Sequence, residues 1–354
     1  MNDRPSLVLV PQYFGALLFD RRTSRYMPFD RAATRVLQAM IEHSADDVIG
    51  DTRPENRDSV EGLAEHLATR GLLRLDGRLA AARIDREPPP DHLLGPLAVH
   101  VEVIGACNLT CSHCFAGELP RNHDPLSLVE IDRLFAELAS IGSFRLGVTG
   151  GEPLLRKDLF DILDAATGHG LHPCVTTNAL LIDKHAAREL GRRELVWLNV
   201  SLEGARAETN DTIRGAGVFD RVLEKLELLG KHARFTLAFT LTRNNVDEVE
   251  ACVALARSVG AHTAVFRPLY PVGTAVNFPA LMPTFDRYVE ALARVERADA
   301  DGDVFAIDPF SPSAREDLRG VVTPGPSCGA ATTVASVSVQ QFRGAPPAPR
   351  RRET

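Results

Sequence analysis

The sequence predicts an α/β protein built around an open, partial (β/α)6 barrel, with a small separate module before it and a thinner region after it. Three observations carry this. From Leu97 to about Tyr270, short apolar runs alternate with amphipathic helical patterns, which is the signature of a parallel sheet with its site at the strand C-termini. Six such units are too few for a closed eight-unit barrel, so a lateral mouth is expected, wide enough for a bulky substrate. Ahead of them, Pro88-Pro89-Pro90 makes a stiff spacer that marks a domain boundary.

The module is expected over residues 1–85. Gly15-Ala-Leu-Leu-Phe19 and Tyr26-Met-Pro-Phe29, joined by a polar turn, predict a β-hairpin. Helical periodicity follows at 30–43 and 59–70, with Asp46-Asp47 between them read as a solvated loop, and 71–75 closes the unit. After a linker at 86–96, the core is expected over 97–295. Its strands are predicted at 97–104, 144–149, 171–177, 195–202, 235–241 and 262–268. Ser127 and Glu130 have capping-box spacing at the head of a helix over 127–140. Beyond it, 285–295 reads as helix, 299–302 as a polar break and 328–339 as a turn entering a strand. The Pro- and Arg-rich tail from Arg343 has a disordered composition.

Composition excludes several roles. A formal net charge of −7 over 354 residues offers nothing to nucleic acid or to an anionic membrane. No apolar run approaches the roughly 20 residues of a membrane helix, and the N-terminus lacks signal-peptide character. A cytoplasmic protein is expected. Within residues 1–87 there are 13 Arg, no Lys and 14 Asp or Glu, so the module lacks the basic footprint of a DNA-binding winged helix.

Of six cysteines, Cys107, Cys111 and Cys114 form Cys-x-x-x-Cys-x-x-Cys just after the first core strand. Clustered thiols in a reducing compartment usually hold metal. Three thiolates suit a [4Fe–4S] cluster with one open iron; a zinc site needs a fourth ligand, for which His113 and His123 are candidates. Cys174 and Cys252 sit among apolar neighbours and are read as small buried hydrophobes.

After the second core strand comes Thr149-Gly150-Gly151-Glu152-Pro153. The cysteine motif and Gly-Gly-Glu-Pro, each following its strand, closely resemble the radical S-adenosylmethionine (SAM) superfamily over residues 97–271. The resemblance implies that Cys107, Cys111 and Cys114 ligate a [4Fe–4S] cluster whose open iron chelates SAM. It implies that Gly150, Gly151, Glu152 and Pro153 form the element holding the methionyl amine. Ser201-Leu-Glu203-Gly followed by Asp211-Thr-Ile-Arg214-Gly resembles the fourth-strand element, which implies that Ser201 and Arg214 contact the SAM ribose and carboxylate. Residues 266–273 resemble the turn that lies against adenine. Glu203 stands where Asp is commoner, a mild departure, and His113 stands where many members carry an aromatic residue, which implies reduced packing on adenine. Thr177 and Asn178 either line the site or serve the turn; Arg214 read alone is a surface ion-pair partner.

The flanks add a substrate class. Residues 11–81 resemble the PqqD-like winged-helix domain of enzymes that modify ribosomally made peptides, which implies a precursor peptide added as a strand to an exposed sheet edge. Pro326-Ser-Cys328-Gly resembles the opening of the SPASM or twitch extension, with Cys328 an auxiliary-cluster candidate. No cysteine follows it, and the composition switches after Val339, so residues 296–354 are expected to be an incomplete or frame-shifted extension. The function implied is SAM cleavage to a 5′-deoxyadenosyl radical that modifies a precursor peptide, with a ferredoxin or flavodoxin as electron donor. The alternatives are a haem- or cofactor-tailoring radical SAM enzyme and a catalytically impaired peptide-binding homologue.

Overall fold

A computed structural model describes residues 4–117, 124–299, 305–307 and 334–337 of the chain. The N-terminal sheet consists of β1 (Leu7–Gln12), β2 (Gly15–Asp20), β3 (Arg25–Asp30) and the short β4 (Ala81–Arg83), in the order β3-β2-β1-β4. Its helices are α1 (Arg31–Glu42), α2 (Ala45–Asp51) and α3 (Pro54–Thr69). The predicted hairpin is thus the outer part of a three-stranded meander. Asp46 and Asp47 are not in a loop: Ser44 and Asp47 form a reciprocal capping box that starts α2, with two acids complementing the helix N-terminus.

Both faces of this sheet are buried. Leu7, Leu9, Ala16 and Leu18 pack with Leu37, Met40 and Leu67 of the module's own helices. The alternate residues Val8, Val10, Leu17 and Phe19 join the core of the rest of the chain, so strand alternation divides one sheet between two cores. Phe19 stacks on Phe144 at 4.7 Å between ring centroids and meets the His172 ring edge-on at 5.0 Å. Tyr26 donates its hydroxyl hydrogen to Gly142 O at 2.7 Å and accepts from Phe144 N at 2.8 Å. The linker is also tied down, since Leu94 N donates to Gln12 Oε1 at 2.9 Å.

The second sheet holds the six strands the sequence predicts: β5 (Ala98–Glu102), β6 (Arg145–Thr149), β7 (His172–Thr177), β8 (Trp197–Ser201), β9 (Thr236–Leu241) and β10 (Thr263–Pro268). Two further strands flank them, β11 (Phe305–Ile307) on β10 and β12 (Val334–Val337) on β5. Every pairing is parallel, in the order β11-β10-β9-β8-β7-β6-β5-β12. The helices are α4 (Leu128–Ser140), with the Ser127–Glu130 capping box, α5 (Leu159–Gly168), α6 (Lys184–Gly191), α7 (Ala207–Arg214), α8 (Val218–Leu229), α9 (Val249–Ser258) and α10 (Phe285–Asp299). Val99, Val101, Leu146, Val148, Val175, Leu198, Val200, Leu237, Phe239 and Phe266 face the helices and form the core. The intervening residues face the lumen. Cys252 is buried as expected, but Cys174 is only partly buried and lies on the lumen side of β7. His123, Cys328 and the Pro- and Arg-rich tail lie outside the described residues.

Candidate functional site

The residues singled out by sequence gather at the C-terminal ends of the parallel strands. Cys107, Cys111 and Cys114 follow β5, all partly buried and none in a disulfide. Backbone bonds hold their loop from three sides. Ser112 N donates to Ile213 O at 3.1 Å at the end of α7, Thr274 N donates to Cys114 O at 2.9 Å, and Glu152 N donates to Ala106 O at 2.9 Å. Burial pushes the Cys111 thiol up to about 11, with Arg214 pulling the other way.

Gly150 and Gly151 are demanded by that closeness. Gly150 has φ +144°, and a Cβ there would lie 2.2 Å from Ile104 O; at Gly151 it would lie 2.1 Å from Ala106 O. Glu152 is 1% exposed. Its carboxylate accepts from Thr177 Oγ1 at 2.7 Å, Asn178 N at 2.7 Å and Leu154 N at 3.1 Å. Burial raises its pKa against these bonds. Asn178 in turn donates from Nδ2 to Asn108 Oδ1 at 2.7 Å, so the β7 end touches the cysteine loop. Its Oδ1 accepts from Leu180 N at 3.1 Å, so Asn178 serves the turn as well.

Glu203, just past β8, is the hub of the site. One oxygen accepts from Arg214 Nη2 at 2.6 Å and lies 2.9 Å from His113 Nε2; the other accepts from Thr240 N at 2.8 Å. Burial works to raise its pKa, but His113 and Arg214 outweigh it and hold the carboxyl well below the usual range. Its backbone is fixed too: Glu203 N donates to Asn210 Oδ1 at 2.9 Å, and Asn245 Nδ2 donates to Glu203 O at 3.0 Å. Ser201 ends β8 on the lumen side, partly buried.

Residues 101–266, which span the cysteine loop, Gly-Gly-Glu and the Glu203–Arg214 pair, match the family model of the radical SAM superfamily. Over this segment the chain resembles that superfamily. The chain is similar to "Mycofactocin maturase MftC" of Mycolicibacterium smegmatis, 34% identical over 196 residues, 54% of this chain and 50% of the relative. It is also similar to "AdoMet-dependent heme synthase" of Methanosarcina barkeri, 34% identical over 171 residues, 47% of this chain and 48% of the relative. The chain therefore spans about half the length of these curated relatives. The fold is shared with Streptococcus suis SuiB at 13% identity and TM-score 0.66, over 95% of this chain and 80% of that one.

Radical SAM enzymes use a [4Fe–4S] cluster and SAM, and the residues of this domain fit both. Among the described residues no three His, Cys, Asp or Glu donors stand close enough to share a single metal ion. Three partly buried thiols on one loop match the three protein ligands of a [4Fe–4S] cluster with one open iron. His113 has its Nε2 engaged by Glu203, while its Nδ1 and the Arg214 Nε are both buried without a hydrogen-bond partner among the described residues. Sequence reasoning missed the hub role of Glu203 and the supports Asn210, Asn245 and Glu248. Glu248 accepts from Thr209 Oγ1 at 2.6 Å and Ala205 N at 2.9 Å. No local motif marks these groups, since the partners that join them to the site lie far along the chain, 90 residues for Glu203–His113 and 43 for Glu248–Ala205.

Proposed function

We propose that the chain is a radical SAM enzyme that modifies a ribosomally made precursor peptide. The observation that carries this reading is the convergence of the three-cysteine loop, the Gly150-Gly151-Glu152 turn and Arg214 at one end of a partial parallel barrel. Cys107, Cys111 and Cys114 would hold the [4Fe–4S] cluster. Gly150, Gly151, Glu152 and Pro153 would form the edge that takes the SAM amine, and Ser201 and Arg214 would face its ribose and carboxylate. Bound there, the cluster and SAM supply reductive cleavage to methionine and a 5′-deoxyadenosyl radical. The protein's part is to orient these groups and exclude water: Glu203 orients Arg214, whose planar fork suits a carboxylate better than Lys would.

The N-terminal module supports the peptide. It is a sheet with three helices whose strand β3 lies at an edge, partly exposed, as a PqqD-like peptide-recognition domain requires for strand addition. SuiB, which shares the fold, has been solved bound to precursor peptide SuiA. A second reading, modification of a porphyrin, is favoured by the likeness to the heme synthase. The remaining calls, a cytoplasmic location, a ferredoxin or flavodoxin donor and a SPASM-like extension around Cys328, belong to the same proposal. Among the described residues no helix is long and apolar enough to cross a membrane.

Anaerobic iron–sulfur reconstitution followed by SAM cleavage with dithionite tests the core of this reading. Wild type should give 5′-deoxyadenosine and a Cys107/Cys111/Cys114→Ala variant none. A reconstituted cluster without cleavage would replace the enzyme with a peptide-binding homologue. Stoichiometric binding of a leader peptide favours the maturase, and porphyrin turnover favours the second reading.

A further inference from the structure

The N-terminal module keeps an open cavity on the side of its sheet away from β3. β4 runs parallel to β1, and the pairing extends as far as Ile84, whose N–H donates to Leu9 O at 3.0 Å. The next bond of a parallel ladder would run from the N–H of residue 11 to Ile84 O, and Pro11 has no N–H. Pairing therefore stops. Asp85, Arg86 and Glu87 follow, exposed, and make no hydrogen bond to any described residue. Pro88 after them biases Glu87 toward extended backbone.

Where the ladder ends, a cavity of about 290 Å³ lies between β1, α1 and this segment. The buried Leu9 and Ala16 form its floor, Thr34 and Gln38 of α1 one wall, and residues 85–87 the other. Thr34 donates its hydroxyl hydrogen to Phe29 O at 3.4 Å, whereas the Gln38 amide bonds to no described residue. The volume falls below the roughly 300–1,000 Å³ of pockets that hold whole small molecules, and suits one side chain. Arg83 and Arg86 on the rim are balanced by Asp85 and Glu87, so net charge selects nothing here. Unused backbone N–H and C=O groups beside an apolar pocket match an extended peptide, which gains affinity from backbone bonds and specificity from one inserted side chain. The cavity also adjoins the contact between module and barrel: Ile84 packs against the core they share, and Gln12, next to Pro11, holds Leu94 of the linker.

We propose that this cavity takes an aliphatic side chain of the precursor peptide, whose backbone pairs with residues 85–87. This adds to the peptide reading, on which it rests, a second contact away from β3.

Fluorescence-anisotropy titration of the full chain with labelled, capped Thr-Lys-Thr-X-Thr-Lys-Thr peptides, X being glycine or leucine, tests the cavity. The leucine peptide should bind about tenfold more tightly or better, as burial of one aliphatic side chain implies. Gln38→Trp, which fills the cavity from its rim, should bring the two peptides level. Asp85→Pro and Arg86→Pro each delete an N–H that the fold does not use. Successive N–H groups of an extended chain point to opposite sides, so one of these two variants should weaken the leucine peptide by about tenfold. Thermal unfolding of each variant reports folding; if Gln38→Trp does not fold, the proline variants carry the comparison. Equal affinity of wild type for both peptides, or wild-type affinity in every folded variant, overturns the proposal. A wild-type dimer that Gln38→Trp converts to a monomer would give the cavity to a second copy of the chain and overturn it as well. Wild type that cleaves SAM but shows no leucine preference loses the cavity and keeps the radical SAM reading; leucine preference in a protein that takes up no cluster and cleaves no SAM does the reverse.

Discussion

His113 and Glu203 are 90 residues apart in the chain and 2.9 Å apart in the fold. The contact ties the loop bearing the three cysteines to the turn after β8, and the same carboxylate oxygen receives Arg214 at 2.6 Å. With Glu203 1% exposed and Arg214 7% exposed, this is a buried charge network, whose members are far more costly to remove singly than together.

Glu203→Gln should therefore destabilise the protein by about 3–5 kcal/mol, because it leaves the Arg214 charge buried without its counter-charge. Glu203→Asp should fall between, since the shorter side chain keeps the charge but cannot reach His113, Arg214 and Thr240 N together. Denaturant unfolding reads the stability; iron bound after reconstitution reads the loop. A Glu203→Gln protein as stable as wild type would show that the network is not a structural hub.

The approach of the two loops gives a second test. Gly151→Ala puts a Cβ 2.1 Å from a backbone carbonyl that cannot swing aside, so the loops must part. A loss of about 1–3 kcal/mol is expected, with iron content falling alongside it. Gly217→Ala, where a Cβ has nothing within 4 Å, should lose stability through its positive φ alone and keep its iron.

Tyr26 supplies two of the hydrogen bonds between the module and the barrel. Tyr26→Phe leaves Gly142 O and Phe144 N without their partner, for about 1–3 kcal/mol. Limited proteolysis should then cut at the proline-rich linker faster than in wild type. An unchanged digestion rate would mean that the other contacts between them, the Phe19–Phe144 stack and the Arg4 and Arg21 bonds to Thr167 O and Gly170 O, hold the interface without it.

Acid should loosen the same interface. Burial, followed by Arg21 and Arg145, lowers the His172 pKa to about 4 in the fold, below the 6.5 of an unhindered imidazole. Between these values the unfolded chain binds more protons than the folded one, so stability rises with pH there. His172 thus favours folding fully above about pH 6.5 and loses that contribution as the pH falls toward 4. Because the ring is only partly buried, screening reduces the effect to on the order of 1–2 kcal/mol. His172→Asn should flatten the stability profile over this window, which urea unfolding at stepped pH measures.

Alternation of apolar runs and helical periods was enough to read six strands in order, each within two residues of its observed limits, because period-2 and period-3.6 burial are local properties of the chain. The cysteine and Gly-Gly-Glu motifs were legible for the same reason: each lies within one loop, where spacing is fixed by the backbone. The Ser44–Asp47 cap that makes a helix of Asp46 and Asp47 was a local signal too, but the charge pair masked it. Other features were decided only by the tertiary structure. The sharing of one sheet between two cores, the lumen-facing side of Cys174, and the meeting of His113, Glu203 and Arg214 all depend on strands brought side by side. Which face of a strand meets helices and which meets the lumen, and which distant charge satisfies a buried one, are fixed by packing and desolvation across the fold rather than by neighbours in the chain.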